Sequence, residues 1–239
     1  MTPDGPVGRA VSSSWLDAVR GRLVVSCQAL PGMPFDNADV IALMAKEAVI
    51  GGAAAIRANR PENVAAVRAT VDKPIIGLFK QRTPGFDVYI TPRLASAVEV
   101  VMAGSDVVAL DASARPRDGG ESLPRIVAEL HAIGVPVLGD IGTVDDALYA
   151  VDAGVDAVAT TLRGLTGGGP VPPLDLLDSV LARVSVPVLQ EGGVVTPGQA
   201  RAAVDHGAWA VVVGRAITMP SFLARRFAKS LETRPSLQT

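Results

Sequence analysis

A lysine ends one of the most apolar stretches of the sequence. The run PIIGLFK, residues 74–80, carries four large hydrophobic residues before Lys80, whereas the other three lysines lie in polar settings. Burial at such a position, with a second cation nearby, lowers the pKa of an ammonium group from about 10.4 towards neutrality. A lysine of this kind can act as a general base. It could equally be a structural cation, a phosphate ligand or a Schiff-base nucleophile.

Two carboxylates also follow apolar runs. Asp140 ends VPVLGD and Glu191 ends VPVLQE, while Arg57, at the end of AAAIR, is a candidate for the nearby cation. A lysine combined with a carboxylate suits removal of a proton from a carbon next to a carbonyl. In an apolar environment the pKa of Glu191 would rise, so that it could act as an acid or as a hydrogen-bonding partner. Asp140 could instead belong to an ordinary capping turn before Thr143.

Two glycine-bearing segments suggest an anion site. QEGGVVTPGQA spans residues 190–200, and VVVGRAITMP spans residues 211–220. Glycines let backbone N–H groups approach an anion, and a helix N-terminus adds partial positive charge. The candidate phosphate ligands are therefore Gly192, Gly193, Gly214 and Arg215. The alternative is that these glycines only form tight turns.

An internal repeat positions these residues. Apolar strand patterns alternate with amphipathic helix patterns, often across a glycine turn, as in AGSDVVALD, AGVDAVATT and HGAWAVVVG. We predict strands at 23–28, 54–58, 74–79, 107–111, 136–141, 156–161, 187–191 and 209–214, and helices near 38–50, 62–70, 93–103, 121–133, 144–153, 174–184, 197–206 and 220–231. Eight such units without a linker predict an α/β protein, a closed (β/α)8 TIM barrel. An open doubly wound sheet is disfavoured because no G-x-G-x-x-G follows the first strand.

The barrel predicts where the site lies. We expect a flexible N-terminal extension at residues 1–14, a single barrel domain at 15–232 and a tail at 233–239. Active sites of this fold lie at the C-terminal ends of the strands. The residues there are Ser26, Cys27, Gln28, Arg57, Lys80, Asp111, Asp140, Thr160, Thr161, Glu191, Gly214 and Arg215. Thr160 and Thr161 open the loop ATTLRGLTGGG, which is suited to covering a ligand, and we expect both to contact the substrate, although they could be ordinary strand residues.

Composition excludes several classes of function. The net charge of −2 gives no general field for nucleic acid or anionic lipid. The single cysteine, Cys27, excludes an intramolecular disulfide and a two-thiol racemase, and it fits a reducing compartment. No apolar run approaches the roughly 18 residues that span a membrane, and the N-terminus lacks a hydrophobic signal core, so we expect a cytoplasmic protein. His131 and His206 fall in helix C-terminal turns, where histidine often caps carbonyls, and we expect no metal site.

Eight motifs in order carry a family resemblance. Together they closely resemble the bacterial N-acetylmannosamine-6-phosphate 2-epimerases, from about residue 15 to about residue 230; the motifs are LVVSCQAL, AAIRANRPEN, PIIGLFK, ALDASARPR, DIGTVDDA, ATTLRGLT, LQEGGVVTPGQA and HGAWAVVVGRAIT. The resemblance implies inversion at C2 of N-acetylmannosamine 6-phosphate to N-acetylglucosamine 6-phosphate, a cytoplasmic step of sialic acid and amino-sugar catabolism. It also implies a homodimer that needs no organic cofactor.

The resemblance also implies roles for individual residues. The family's catalytic lysine and glutamate correspond to Lys80 and Glu191, and the supporting groups correspond to Gln28, Arg57 and Asp140. Two other functions suit the same scaffold, namely a lysine-dependent aldolase or lyase acting on a phosphosugar and a non-catalytic phosphosugar-binding barrel.

Two positions depart from the family pattern. The family typically carries Thr-Arg-Pro after its last strand, with the arginine on the phosphate, whereas this chain has ITMP with Met219 in that place. Arg215, where the family usually has a small residue, could supply the charge instead. Gly193 stands where a longer side chain is common. These changes affect the expected phosphate contact rather than the expected proton transfer.

Overall fold

A computed structural model describes residues 14–29, 31–163 and 174–232 of the chain. Residues 1–13 of the predicted N-terminal extension and the predicted tail, residues 233–239, lie outside the described residues. Most of the loop after Thr161, which the sequence suggests as a cover for a ligand, lies outside them too.

Eight parallel strands close into a barrel in chain order, so that the last strand pairs with the first. Helices cover the outer face of the sheet and side chains fill its interior, which explains why the strands consist mainly of Val, Ile, Leu and Ala. The strands are β1 Leu23–Cys27, β2 Ala55–Asn59, β3 Ile75–Leu78, β4 Val107–Asp111, β5 Val137–Asp140, β6 Ala157–Ala159, β7 Val188–Glu191 and β8 Ala210–Val213. The predicted (β/α)8 TIM barrel is confirmed, with strand ends that differ from the prediction by up to two residues.

Helices alternate with these strands. Within the described residues they are α1 Ser14–Val19, α2 Ala38–Ile50, α3 Pro61–Arg68, α4 Leu94–Met102, α5 Leu123–Ala132, α6 Val144–Asp152, α7 Leu174–Leu181, α8 Pro197–Asp205, α9 Arg215–Thr218 and α10 Pro220–Glu232. The sequence predicts all of them except α1 and α9, which are six and four residues long. Helices this short carry too few residues to show a helical period.

The barrel interior is filled on the side of the strand N-termini. Trp15 and Val19 of α1 are buried in one apolar cluster with inward residues of the strands. The indole N–H of Trp209 donates to the carbonyl of Leu16 at 2.8 Å, which ties α1 to the start of β8. Apolar side chains therefore fill the N-terminal end of the barrel interior, which leaves the C-terminal end for a polar site.

Candidate active site

Alternation along each strand places a polar layer above the apolar interior. Successive side chains of a strand point to opposite faces, so a residue two positions after an inward residue also points inward. In β5 the inward Leu138 is followed by Asp140, and in β7 the inward Leu189 is followed by Glu191. The same spacing from Ala55 gives Arg57. The strand ends therefore direct a cation and two carboxylates to the barrel axis.

Arg57 is the centre of this layer. Its side chain is 1% exposed, and it binds Asp140 in a two-pronged contact, Nη1 to Oδ1 at 2.9 Å and Nη2 to Oδ2 at 2.5 Å. Nη1 also donates to Oε2 of Glu191. Burial alone would lower the pKa of Arg57, but the carboxylates of Asp140 and Glu191 raise it. A buried cation in contact with two carboxylates is fixed in position and remains charged.

Lys80 lies apart from the carboxylates. Its Nζ donates to Oε1 of Gln28 at 2.7 Å, and Nε2 of the same amide donates to Oγ of Ser26 at 2.9 Å. Burial lowers the pKa of Lys80, and the charge of Arg57 lowers it further, against the opposing effects of Glu191 and Asp140. The ammonium group therefore has a neutral partner in a desolvated place, which favours the neutral amine at a lower pH than usual.

The backbone around Lys80 is held by residues that the sequence interpretation leaves without a role. Lys80 lies two residues beyond the end of β3, and it forms an isolated antiparallel bridge with Ile90. Its backbone N–H donates to Oδ1 of Asn59 at 2.9 Å. The hydroxyl of Thr91 accepts from the N–H of Phe79 at 3.0 Å. In the sequence, only the presence of Asn59 in the motif IRANRPEN could have indicated its contact with the backbone of Lys80.

The pKa of Glu191 shifts in the opposite direction to that of Lys80. Burial raises the pKa of its carboxyl and Asp140 raises it further, while Arg57 and Lys80 lower it. Its side chain is 13% exposed, so it reaches the open end of the barrel although it contacts Arg57. The direction agrees with the rise that the sequence suggests. These shifts favour the neutral amine of Lys80 and the protonated carboxyl of Glu191.

Asp140 is not part of a capping turn. The N-terminus of α6 is capped by Thr143, whose hydroxyl accepts from the N–H of Asp146 at 3.0 Å. The carboxylate of Asp146 accepts in return from the N–H of Thr143 at 3.1 Å. Asp140 instead binds Arg57 and accepts from the hydroxyl of Thr161 at 2.5 Å. The structure therefore removes the capping alternative for Asp140.

The two threonines after β6 have different surroundings. Thr161 joins the polar layer through its bond to Asp140. Thr160 is fully buried, and its hydroxyl donates to the carbonyl of Glu191 at 2.9 Å and accepts from the N–H of the same residue at 3.0 Å. Thr160 thus links β6 to β7 and positions Glu191. The structure brings Thr161 into the cluster and leaves Thr160 outside it.

The predicted phosphate ligands lie in the loops after β7 and β8. Gly192 and Gly193 have φ of +98° and +74°, a region that side-chain-bearing residues rarely adopt, which accounts for glycine at both positions. Gly214 precedes α9, and its carbonyl accepts from the N–H of Ile217 at 2.8 Å. A short helix after the last strand is a recurring part of phosphate sites in this fold.

Arg215, which the sequence suggests as a phosphate ligand, contacts an aromatic ring beside these loops. Arg215 is exposed, and its guanidinium lies 5.3 Å from the centre of the Phe222 ring on α10. Arg226 stacks on the same ring at 5.7 Å, and its Nη1 donates to the carbonyl of Val195 in the loop after β7 at 3.3 Å. The sequence interpretation missed Arg226, because its position depends on how α10 packs.

Met219 adds no charge at this end of the barrel. It borders a cavity of about 150 Å³ whose walls are mainly apolar. Met33 and Phe35 come from the segment after β1, and Gln28 lines the same cavity. An arginine at position 219 would place its side chain beside this space. Any charge on a bound phosphate must therefore be balanced from elsewhere.

The two histidines contact carboxylates. His131 Nε2 lies 2.9 Å from Oδ2 of Asp156, and His206 Nδ1 lies 2.8 Å from Oδ1 of Asp178. The prediction that these rings cap carbonyls is wrong, since an acidic side chain of a neighbouring segment is within reach of each. Over the described ranges 14–29, 31–163 and 174–232, no group of three or more His, Cys, Asp or Glu could hold a metal ion.

Cys27 has no role in the cluster. It is fully buried in the core between the strands and the outer helices, and burial raises the pKa of its thiol to about 12. A thiol with so high a pKa is not a nucleophile at neutral pH. In the part of the chain that the structure describes, no helix is long and apolar enough to cross a membrane.

Comparison with known proteins identifies the family. The family model described as "Putative N-acetylmannosamine-6-phosphate epimerase" matches residues 41–233. The chain belongs to this epimerase family. A relative from Thermosynechococcus vestitus bears the name "Putative N-acetylmannosamine-6-phosphate 2-epimerase". It is 45% identical over 223 residues, which cover 92% of this chain and 97% of the relative. The resemblance seen in the sequence motifs is confirmed.

Further relatives agree in length and in fold. A protein of the same name from Caldanaerobacter subterraneus is 42% identical over 219 residues, which cover 89% of this chain and 92% of the relative. Among solved structures, the N-acetylmannosamine-6-phosphate 2-epimerase from Clostridium perfringens is 35% identical and superposes with a TM-score of 0.87. That match covers 90% of this chain and 95% of the epimerase. The family barrel is therefore present over nearly its whole length.

Proposed function

We propose that this protein inverts C2 of N-acetylmannosamine 6-phosphate to give N-acetylglucosamine 6-phosphate. One observation carries the proposal: Lys80 follows β3 and Glu191 ends β7, and these strands stand opposite each other in the ring of eight. Burial lowers the pKa of the lysine and raises that of the glutamate. One group is thus suited to accept a proton and the other to donate one, from opposite sides. The names of the relatives supply the substrate.

The reaction follows from the position of C2 in the open-chain sugar, next to the C1 aldehyde. The neutral amine of Lys80 takes the proton from C2, the electron pair of the C–H bond forms the C1–C2 double bond, and the carbonyl electrons move to O1. Protonated Glu191 then donates a proton to the opposite face of C2 as the O1 electrons re-form the aldehyde. The centre is inverted, and exchange of protons with solvent resets both side chains.

Arg57 stabilises the enolate in this proposal. Its guanidinium lies beside Glu191 and carries the positive charge closest to it, which suits stabilisation of negative charge on O1. Asp140 is a positioning residue, because both of its oxygens bind Arg57. Thr161 supports Asp140, because its hydroxyl donates to Oδ1 of that carboxylate. Gln28 orients the amine of Lys80 and can contact the sugar hydroxyls.

The phosphate group is assigned to the loops after β7 and β8. Backbone N–H groups of Gly192, Gly193 and Gly214 would contact its oxygens, as in other barrels of this fold. Arg215 would supply the positive charge that the family takes from the arginine at position 219. The support is its place at the start of α9, and release from the Phe222 ring would free its guanidinium for the anion.

The proposal extends to the setting of the enzyme. On the basis of the family resemblance, we propose a cytoplasmic homodimer that acts in sialic acid and amino-sugar catabolism. Light scattering tests the oligomer, because a dimer has twice the chain mass of 24.6 kDa. A mass equal to that of one chain at micromolar concentration would contradict it.

Proton NMR of the purified protein with N-acetylmannosamine 6-phosphate tests the activity. The expected result is growth of the N-acetylglucosamine 6-phosphate signals, and their absence would refute the proposal. A lysine-dependent aldolase or lyase would instead release smaller fragments, and borohydride would trap a substrate adduct on Lys80. A non-catalytic binding protein would be stabilised against heat by the sugar phosphate without converting it.

A further inference from the structure

The contact between Lys80 and Gln28 joins two segments at the C-terminal end of the barrel. Lys80 follows β3, whereas Gln28 comes directly after β1 and begins the loop that leads to α2. The strand β2 lies between them, because it pairs with β1 on one side and with β3 on the other. Its last residue, Asn59, and the next residue, Arg60, reach one segment each. Arg60 has no part in the proposed reaction.

Asn59 holds the segment that carries Lys80. Its Oδ1 accepts from the backbone N–H of Lys80 at 2.9 Å. Asn59 is 7% exposed, and its own carbonyl accepts from the side-chain amide of Asn63 in α3 at 2.8 Å. The backbone of Lys80 is therefore anchored to the end of β2.

Arg60 has an unusual backbone conformation for a residue with a side chain. Its φ is +79° and its ψ is 143°, a combination that glycine adopts more readily than any other residue. The N–H of Arg60 donates to the carbonyl of Leu78 in β3 at 2.9 Å, and its carbonyl accepts from the N–H of Val64 in α3 at 3.0 Å. These two hydrogen bonds fix the strained conformation. Strain of this kind is concentrated at functional sites.

The side chain of Arg60 reaches the loop after β1. Its Nη2 donates to Oδ1 of Asp36, and Oδ2 of the same carboxylate accepts from the N–H of Gly32 at 3.1 Å. The N–H of Asp36 donates to the carbonyl of Met33 at 2.9 Å. The side chains of Arg60 and Asp36 are 26% and 16% exposed, so water screens this pair less than it screens a fully exposed one. Arg60 is thus connected to the turn in the middle of the loop.

The same loop forms a wall beside Gln28. Residues 33–35 line the apolar cavity of about 150 Å³ together with Gln28. Asp36 follows these residues directly, so its ion pair with Arg60 fixes the wall that they form. A shift of the loop would therefore change the surroundings in which Gln28 meets Lys80.

We propose that Arg60 is a positioning residue for the base: its ion pair with Asp36 fixes the loop after β1, so that Gln28 stays in contact with Lys80. Asn59 and Arg60, which are successive residues, then hold the two partners of this contact. The role accounts for an arginine where glycine suits the backbone better, because glycine has no side chain to reach Asp36. The inference rests on the proposed function of Lys80, but the contact can be measured without turnover.

Three variants separate the side chain of Arg60 from its backbone. Arg60→Gly should keep the fold, because glycine accepts a φ of +79° without strain, and it loses the guanidinium. Asp36→Asn keeps an oxygen for the N–H of Gly32 and loses the charge. Glu62→Gln is the matched control. Oε1 of Glu62 lies 3.1 Å from Nε of Arg60, but this carboxylate is exposed on α3 and does not belong to the loop.

NMR of protein labelled with [ε-¹³C]lysine measures the contact. The chain contains four lysines, so the spectrum has four signals, and Lys80→Met identifies the signal of Lys80. This signal should be displaced in Arg60→Gly and in Asp36→Asn, and it should keep its wild-type position in Glu62→Gln. A wild-type position in folded Arg60→Gly would overturn the proposal, whether or not the protein converts the sugar.

The kinetics of epimerisation test the consequence for the base. In Arg60→Gly, kcat should fall by about ten- to a hundredfold, because misplacement of a catalytic group by about 1 Å can cost roughly 10²-fold. In the background of Gln28→Met, which has no amide to position, Arg60→Gly should lower kcat little further. An equally large fall in that background would overturn the proposal. Absence of turnover in the wild type would refute the proposed function, and the NMR signal of Lys80 would then decide whether Arg60 positions the contact.

Discussion

The amine of Lys80 donates to the amide oxygen of Gln28 at 2.7 Å, and no carboxylate of the described residues lies within 4 Å of that amine. The two carboxylates of the layer are held by Arg57 instead. This separation keeps a buried lysine beside a neutral partner. Burial lowers the pKa of Lys80 and the charge of Arg57 lowers it further, while Glu191 and Asp140 oppose the change without contacting the amine.

Removing the amine should abolish turnover without unfolding the protein. Lys80→Met retains most of the side-chain volume and loses the proton acceptor, so kcat should fall at least 10²–10⁴-fold, roughly the contribution of a positioned acid or base. Lys46→Met, at an exposed position of α2, is the matched control and should keep wild-type activity. Circular dichroism checks the fold. Substantial residual activity in a folded Lys80→Met would exclude Lys80 as the base.

The dependence of the rate on pH should have two limbs. In the direction from N-acetylmannosamine 6-phosphate, the rate falls at low pH as Lys80 becomes protonated and at high pH as Glu191 loses its proton. The lowered pKa of Lys80 moves the acidic limb below the usual range of lysine. The raised pKa of Glu191 moves the alkaline limb above the usual range of glutamate. Profiles of kcat/KM against pH measure both limbs.

Gln28→Glu should move the acidic limb to higher pH. A carboxylate in place of the amide oxygen at 2.7 Å favours the ammonium form and should raise the pKa of Lys80. Gln28→Met adds no charge, and its acidic limb should not move upwards. An acidic limb that stays in place in Gln28→Glu would show that this limb reports another group.

Asp140→Asn should lower both stability and kcat. Arg57, which is 1% exposed, would lose one of its two charged partners, and breaking a buried pair costs about 3–5 kcal/mol. Urea unfolding measures the loss. Asp205→Asn breaks the exposed pair with Arg201 and should cost far less. A folded Asp140→Asn with wild-type stability would contradict the positioning role.

Arg215→Ala should raise KM for the sugar phosphate more than it lowers kcat, since it removes a phosphate contact distant from the reacting carbon. Initial rates over a range of substrate concentrations give both constants. Arg225→Ala removes another exposed charge from the adjoining helix α10 and serves as the control. If KM is unchanged in Arg215→Ala, the phosphate is held by other groups, with Arg226 as the next cation beside the same loop.

Strand alternation explains how much of the site the sequence could reveal. Lys80, Asp140 and Glu191 each end an apolar run, and that pattern alone marks the layer in which they lie. Alternation could also have separated Thr161, which continues the inward face of β6 from Ala157 and Ala159, from Thr160. The prediction that both contact the substrate rests on their shared position after the strand, which does not take account of the face on which each lies.

Contacts between distant segments could not be predicted in this way. Arg57 and Asp140 are 83 positions apart, and their two-pronged geometry depends on the tilt and register of strands that the sequence does not specify. The stacking of Arg215 on Phe222 likewise depends on the angle between α9 and α10. Such geometry arises from packing of whole elements, for which local patterns carry no information.

Solvent isotope incorporation tests the central claim, proton transfer by two groups on opposite sides of C2. N-Acetylmannosamine 6-phosphate is converted in D₂O to low extent, and deuterium at C2 is measured by NMR in the product and in the remaining substrate. Glu191, which exchanges its proton with solvent before each turnover, should deliver deuterium to essentially all of the product, while the remaining substrate stays unlabelled. Product that retains the original proton at C2 would show that the proton was carried from one face to the other, and it would contradict the account.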